Sequence, residues 1–345
     1  MNIRKAYSFD DVLIVPKYNT IKSRQDVDFT TNVTKNHTLD TPILIANMDT
    51  VCESPMAIAV GKLGGLGVIH RFLTVEEQVA EVKKVKAEGL LCAAALGVKD
   101  YEERLEALAK CGVDIIVLDI AHGHSIMTKE ALMFSKSEYP HIDVMAGNVA
   151  SHDAAHDLAR WGADAIKVGV GPGSMCTTRI MTGCGMPQLT AIDEVYGAVG
   201  GRVPICADGG IKHSGDIVKA IGAGADNVMI GSLVSGTDET PGDVIRIKNR
   251  PYKLYRGMAS FDAAVQKLKK DNQKHTEVIS VEGEKVHTPY KGPVERIIKR
   301  LLGGLASGMT YNGSRTVSEL KANVEFVEMT ASGLYESRAH GLRNT

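Results

Sequence analysis

Cys176 sits in the run GVGPGSMCTTR, Gly169 to Arg179, behind three glycines and a proline. Such a run cannot be helical, and its exposed backbone can hold a cation through carbonyls or an anion through amides. A thiolate is intrinsically nucleophilic and is activated by nearby positive groups or amide dipoles, and Arg179 is close in sequence. Cys176 therefore reads as a nucleophile on a loop, with a merely structural cysteine as the alternative. Downstream, CADGGIKHSGDIVKAIGAGADNVMIGS contains two strand-to-loop transitions, ADGGI and IGS. Glycine amides and a helix N-terminus there suit a phosphate, and Asp208 beside them could accept from ribose hydroxyls; tight turns alone are the plainer reading. Asp119 closes the apolar stretch IIVLD within IIVLDIAHGHS and precedes His122 and His124. With no third ligand at useful spacing the histidines do not read as a metal pair; Asp119 is expected to meet a cofactor amide or ribose, and the histidines to shape the loop.

These residues need a scaffold that brings distant loops together. From residue 42 the chain alternates short apolar runs, glycine-containing turns and polar helical segments. The runs are PILIAN (42–47), LGVIH (66–70), LCAAALGV (91–98), VDIIVLDIA (113–121), IDVMAGN (142–148), ADAIKVGVG (163–171), VPICADGG (203–210) and ADNVMIGS (225–232). Runs apolar on both faces suit parallel strands covered on both sides, and segments such as VEEQVAEVKKVKAE carry polar faces at helical spacing. The eight units predict a single α/β domain, a closed (β/α)8 TIM barrel over residues 1–345; a doubly wound open sheet is the alternative. In such a barrel the strand ends Asn47, His70, Asp119, Asn148, Gly171, Asp208 and Gly231 should ring one pocket. Residues 238–295 form a polar, Lys-rich insertion after strand eight, expected to be a mobile flap, with a disordered surface loop as the alternative. KRLLGGLASGMTYNG then reads as the last barrel helix.

With 40 basic and 41 acidic residues, no global field draws the chain to nucleic acid or an anionic membrane. No apolar stretch reaches bilayer length and MNIRKAYSFDD lacks a signal-peptide core, so a cytoplasmic protein is expected. The six cysteines show no CxxC spacing, which argues against disulfides and structural zinc; five of them are expected as small packed residues. No GxGxxG follows the first strand, so a nicotinamide cofactor would have to be bound by the barrel itself.

The segments YSFDDVLIVPKY, IANMDTV, GNVAS, GVGPGSMCTTR, ADGGIKHSGDIVKA and YRGMAS together resemble the IMP dehydrogenase and GMP reductase family, over nearly the whole chain. The resemblance implies that Cys176 attacks C2 of a purine nucleotide (GMP or IMP), with Thr178 beside it. It places Met48, Ser174, Asp208, Gly210, Gly231, Ser232, Tyr255, Gly257 and Met258 on the nucleotide, and Asp119, Asn148 and Arg71 on the cofactor side. Carbonyls of Gly171, Gly173 and Cys176 match a loop that binds a monovalent cation, potassium. A homotetramer is also implied.

Both family reactions pass through a covalent purine–enzyme adduct. The dehydrogenase transfers hydride to NAD and hydrolyses the adduct; the reductase releases ammonia from GMP and delivers hydride from NADPH. The two CBS modules usual in the dehydrogenase have no place here, because VKKVKAEGLLCAAALGV runs straight through. The dehydrogenase flap carries an Arg-Tyr pair that helps activate water, yet no arginine stands between Phe261 and Pro293, and KKDNQ lies about where the pair would be. Glu282 aligns with the glutamate that, with the threonine at Thr178, handles proton transfer to ammonia in reductases. IANMDTV and IKSRQDVD are closer to reductases, whereas AHGHS, AAALGV, SGDIVKA, IGSLVSGTDETPG, ASGLYESRAHG and Arg71 are closer to dehydrogenases. The missing arginine favours GMP reductase with NADPH; an IMP dehydrogenase without CBS modules, using NAD, is the alternative.

Overall fold

The computed structural model describes residues 3–99, 101–260 and 282–337. The eight apolar runs each form a strand: β1 (Ile43–Ile45), β2 (Leu66–Ile69), β3 (Ala93–Leu96), β4 (Ile115–Leu118), β5 (Asp143–Val149), β6 (Ala165–Val168), β7 (Ile205–Asp208) and β8 (Asn227–Ile230). They pair in parallel and close through the β8–β1 register Val228↔Ile43 to Ile230↔Ile45, so the closed barrel holds and the open sheet does not.

Alternation along each strand divides the core. Leu44, Ala46, Val68, Ala93, Ala95, Ile115, Val117, Met145, Ala165, Cys206 and Met229 fill the barrel interior as one cluster. Their neighbours, such as Ile43, Ile45, Leu96, Ile116, Leu118, Ile166 and Val228, pack outward into the layer shared with the helices. Period-two geometry carries the inward rows one step beyond the apolar layers, to Met48, Asp119, Lys167 and Asp208. At the opposite end a hairpin, Thr31–Asn32 with Thr38–Leu39, caps the barrel, burying Val33 and Leu39 against its interior.

The outer ring comprises α1 (Ser54–Gly61), α2 (Val75–Ala87), α3 (Glu102–Lys110), α4 (Ile126–Glu138), α5 (His152–Arg160), α7 (Gln188–Val199), α8 (Ser214–Gly222) and α9 (Val294–Tyr311), while a short α6 (Thr178–Thr182) follows the Cys176 loop at the barrel mouth. α2 starts at a reciprocal capping box: the Thr74 hydroxyl accepts from Glu77 N at 3.1 Å, and Thr74 N donates to the Glu77 carboxylate at 2.9 Å. Residues 88–92 alone join α2 to β3. Among the described residues no helix is long and apolar enough to cross a membrane.

The described residues add detail to one expected segment and correct one expectation. The weak periodicity of 238–295 conceals a three-stranded antiparallel sheet, β9 (Ile245–Ile247), β10 (Arg250–Arg256) and β11 (Lys285–Pro289). KKDNQ lies outside the described residues. Of the five cysteines expected to be packed, Cys52, Cys92 and Cys206 are buried and Cys111 is half-buried, but Cys184 is exposed. It follows Gly183, the left-handed cap that ends α6, and sits on the open turn beyond it.

Candidate active site

Above the apolar layers the barrel opens into a cavity of about 490 Å³, a size suited to a small-molecule site. Its lining includes Asn47, Met48, Arg71, Asp119, Asn148, Gly171, Gly173, Ser174, Cys176, Thr178, Asp208, Tyr255, Gly257, Met258 and Glu282. Gly210, Gly231 and Ser232 stand behind this wall. A Cβ at Gly231 would meet Met48 Sδ at 3.1 Å, and one at Gly210 would meet Phe9 and Gln188. The Ser232 carbonyl accepts from the Ser235 hydroxyl and Lys291 Nζ.

His70 does not join Asn47, Asp119, Asn148, Gly171 and Asp208 around the pocket, although it ends a barrel strand. It is 2% exposed, with Nε2 3.1 Å from Glu53 Oε1 and Nδ1 accepting from Phe72 N at 3.1 Å. Both ring nitrogens thus secure the turn that presents Arg71. His124 is likewise held in the scaffold, 3.0 Å from Asp157 Oδ2 on α5, and no cluster of metal-ligating side chains occurs among the described residues.

Cys176 is exposed at the cavity, its thiol 3.1 Å from Thr178 Oγ1. That hydroxyl donates its one proton to Glu282 Oε2 at 2.7 Å, leaving its oxygen free to accept from the thiol. A thiol, a hydroxyl and a carboxylate therefore form a continuous proton path. Glu282 reaches the site because residues 282–284 thread between two loops: Thr177 N donates to Glu282 O at 3.0 Å, Glu284 N to Met175 O at 3.0 Å and Glu282 N to Ala259 O at 3.1 Å. Glycines permit this close stacking. A Cβ at Gly283 would lie 3.0 Å from Ser260 N, and one at Gly257 3.1 Å from Met175 O.

Arg179 is not aimed at the thiol. Its guanidinium donates to the carbonyls of Val170, at 3.1 Å, and Met186, tying down both ends of the loop. Burial lowers its pKa, and the neighbouring Cys176 opposes that shift. Of the carbonyls expected to face a monovalent cation, that of Gly173 accepts from Cys176 N at 3.1 Å within the loop.

On the opposite wall, charges of alternating sign meet. Lys167, 3% exposed, donates to Asp208 Oδ2 at 2.7 Å, and Asn148 Nδ2 donates to the same oxygen at 2.9 Å. Desolvation pulls the lysine pKa down, but Asp208 and Asp119 more than reverse this, so it stays charged. Arg71 Nε donates to Asp119 Oδ2 at 2.8 Å. Burial would raise the Asp119 carboxyl, yet Arg71, Lys167 and a hydrogen bond from Asn47 outweigh it and hold it below its ordinary range. The Tyr255 hydroxyl lies 3.2 Å from Ser174 Oγ, and burial pushes the phenol pKa up. Lys167 is the site residue that motif reading overlooked. The clue was a lysine inside the apolar run ADAIKVGVG, since a lysine is almost never fully buried unless paired.

A (β/α)8 barrel with an exposed thiol on a glycine loop, a hydroxyl–carboxylate pair against it and an acidic group across the cavity defines a class of nucleophilic barrel enzymes. A family profile described as "IMP dehydrogenase / GMP reductase domain" matches residues 6–340. The chain is 39% identical over 394 residues to inosine-5'-monophosphate dehydrogenase of Borreliella burgdorferi, covering 98% of this chain and 97% of that protein. It is 40% identical over 391 residues to inosine-5'-monophosphate dehydrogenase of Cryptosporidium parvum, covering 98% and 96%. A crystal structure of a GMP reductase variant from Trypanosoma brucei, in complex with guanosine 5'-monophosphate, superposes with a TM-score of 0.93, at 31% identity and 99% coverage of both chains. The chain belongs to the IMP dehydrogenase / GMP reductase family, whose members are NAD(P)-dependent purine nucleotide oxidoreductases.

Proposed function

We propose that this protein is a GMP reductase, converting GMP to IMP and ammonia with NADPH. The observation that carries the reading is the Cys176–Thr178–Glu282 path, with 3.1 and 2.7 Å between successive heteroatoms. Cys176 Sγ attacks C2 of the purine while its proton passes through Thr178 to Glu282. The same two residues then return a proton to the 2-amino group, which departs as ammonia and leaves the purine bonded to sulfur. A dihydronicotinamide held beside Arg71 and Asp119 would supply the hydride that replaces sulfur at C2, giving IMP and returning Cys176 as the thiolate. Asp208, with one oxygen held by Lys167 and Asn148, offers the other to ribose hydroxyls. Arg71 and Asp119 present a donor and an acceptor to the cofactor carboxamide or ribose. The absence of arginine between Phe261 and Pro293 removes the group that would otherwise activate water against the adduct.

The dehydrogenase reading is favoured by a different observation, the names of the Borreliella and Cryptosporidium relatives. Absorbance at 340 nm separates the two: GMP with NADPH in one cuvette, IMP with NAD and potassium in another. Loss of absorbance with GMP alone supports the reductase. A rise with IMP overturns it in favour of oxidation to XMP. Size-exclusion chromatography of the same preparation tests the homotetramer.

A further inference from the structure

A buried ion pair joins the first barrel loop to the central strand of the insertion's sheet, and neither the nucleophile nor the nucleotide contacts make use of it. Asp49 directly follows the pocket residue Met48, and Arg256 ends β10 between Tyr255 and Gly257. Both side chains are only 9% exposed. Arg256 Nε donates to Asp49 Oδ2 at 3.0 Å and approaches Oδ1 at 3.3 Å, and a second guanidinium nitrogen also donates to Oδ2. The backbone adds to the junction: Arg256 N donates to Thr50 Oγ1 at 3.2 Å, and Asp49 N lies 3.2 Å from Met258 Sδ. A forked, desolvated arginine–carboxylate pair fixes direction as well as distance, which a lysine's point charge does not. Desolvation offsets most of the Coulombic gain of such a pair, so what it contributes here is geometry.

That geometry leads to the proton path. Immediately after Arg256, Gly257 N donates to Glu284 O at 2.9 Å, and Ala259 O accepts from Glu282 N at 3.1 Å. Glu282 then accepts from Thr178. The segment clamped to the barrel by Asp49 is therefore the one against which the Glu282 backbone is registered. We propose that Asp49 and Arg256 are positioning residues that set where Glu282 meets Thr178, so that breaking the pair slows the proton-transfer chemistry more than it weakens nucleotide binding. This rests on the reading of Thr178 and Glu282 as a proton-transfer pair.

The test uses the full-length enzyme with whichever nucleotide and cofactor it turns over, comparing D49N, R256K, the double variant and E282Q for kcat, nucleotide Kd by calorimetry, pH profile and Tm. Each single substitution is expected to lower kcat by roughly 100-fold, the scale of a misplaced catalytic group, with Kd near that of the wild type. The double variant should be no slower than the worse single, because the two side chains act as one unit. The limb of the kcat–pH profile that disappears in E282Q should be displaced in D49N. Unchanged kcat with a lowered Tm, a loss confined to Kd, or independent, multiplying effects would each overturn the inference. Should D49N fail to fold, R256K, which keeps the charge and loses the fork, carries the same comparison. E282Q separates the two claims: full turnover in E282Q removes the proton-pair reading and this inference with it, whereas a slow E282Q beside a fast D49N removes the positioning inference alone.

Discussion

The Thr178 hydroxyl and the Glu282 carboxylate, 104 positions apart in sequence, meet at 2.7 Å directly behind the thiol of Cys176. The contact gives the nucleophile an outlet for its proton and gives a leaving amine a source of one.

Cys176→Ser should abolish turnover and leave nucleotide binding intact. Titration calorimetry with GMP and IMP, beside the 340 nm assay, checks both halves, and residual turnover well above background would falsify the covalent mechanism.

Glu282→Gln keeps the size and a hydrogen-bonding group but loses the proton acceptor. A fall in kcat of about 100-fold or more is expected, the usual scale for general acid–base catalysis. An unchanged rate would require another group to protonate the leaving amine.

Removing Lys167 leaves Asp208 and Asp119 without the buried cation between them. Lys167→Met should cost about 3–5 kcal/mol, as loss of one partner from a buried pair typically does, and should weaken nucleotide binding through Asp208. Denaturant midpoints and calorimetry on the same variant test this, and a midpoint within error of wild type would show the aspartates are stabilised in another way.

Asp119 gives a pH prediction with a definite sign. Burial raises its pKa, but Arg71 and Lys167 lower it further, so the folded value lies below the unfolded value of about 4. A depressed carboxyl contributes stability that is present above the unfolded pKa and lost as pH falls through the folded one. The Tm gap between wild type and Asp119→Asn should therefore be widest near neutrality and shrink below about pH 4. A gap that stays constant down to about pH 3 would exclude this pairing as its origin.

Gly283→Ala places a Cβ 3.0 Å from Ser260 N and 3.2 Å from Ala259 C. Activity should fall while the far-ultraviolet circular dichroism of the barrel is retained, because the clash is confined to the segment carrying Glu282. Wild-type activity in this variant would mean that the backbone there accommodates a side chain.

The sequence determined the barrel because its information is local. Each of the eight apolar runs supplies a barrel strand covered on both faces, and alternation within it sends Leu44, Ala93, Val117 and Met229 inward and their neighbours outward. The glycine-rich stretch before Cys176 likewise excluded a helix and exposed the thiol. Long-range pairing had no such local cue. The β9–β11 sheet joins residue 252 to residue 289, and Cys184 is exposed only because α6 stops at Gly183. Arg179 lies three residues from Cys176 yet turns to the carbonyls of Val170 and Met186, while Glu282, distant in sequence, supplies the carboxylate. Hydrogen bonds and charge pairs are satisfied by whichever groups the closed barrel brings within about 3 Å, and that selection exists only once the chain has folded.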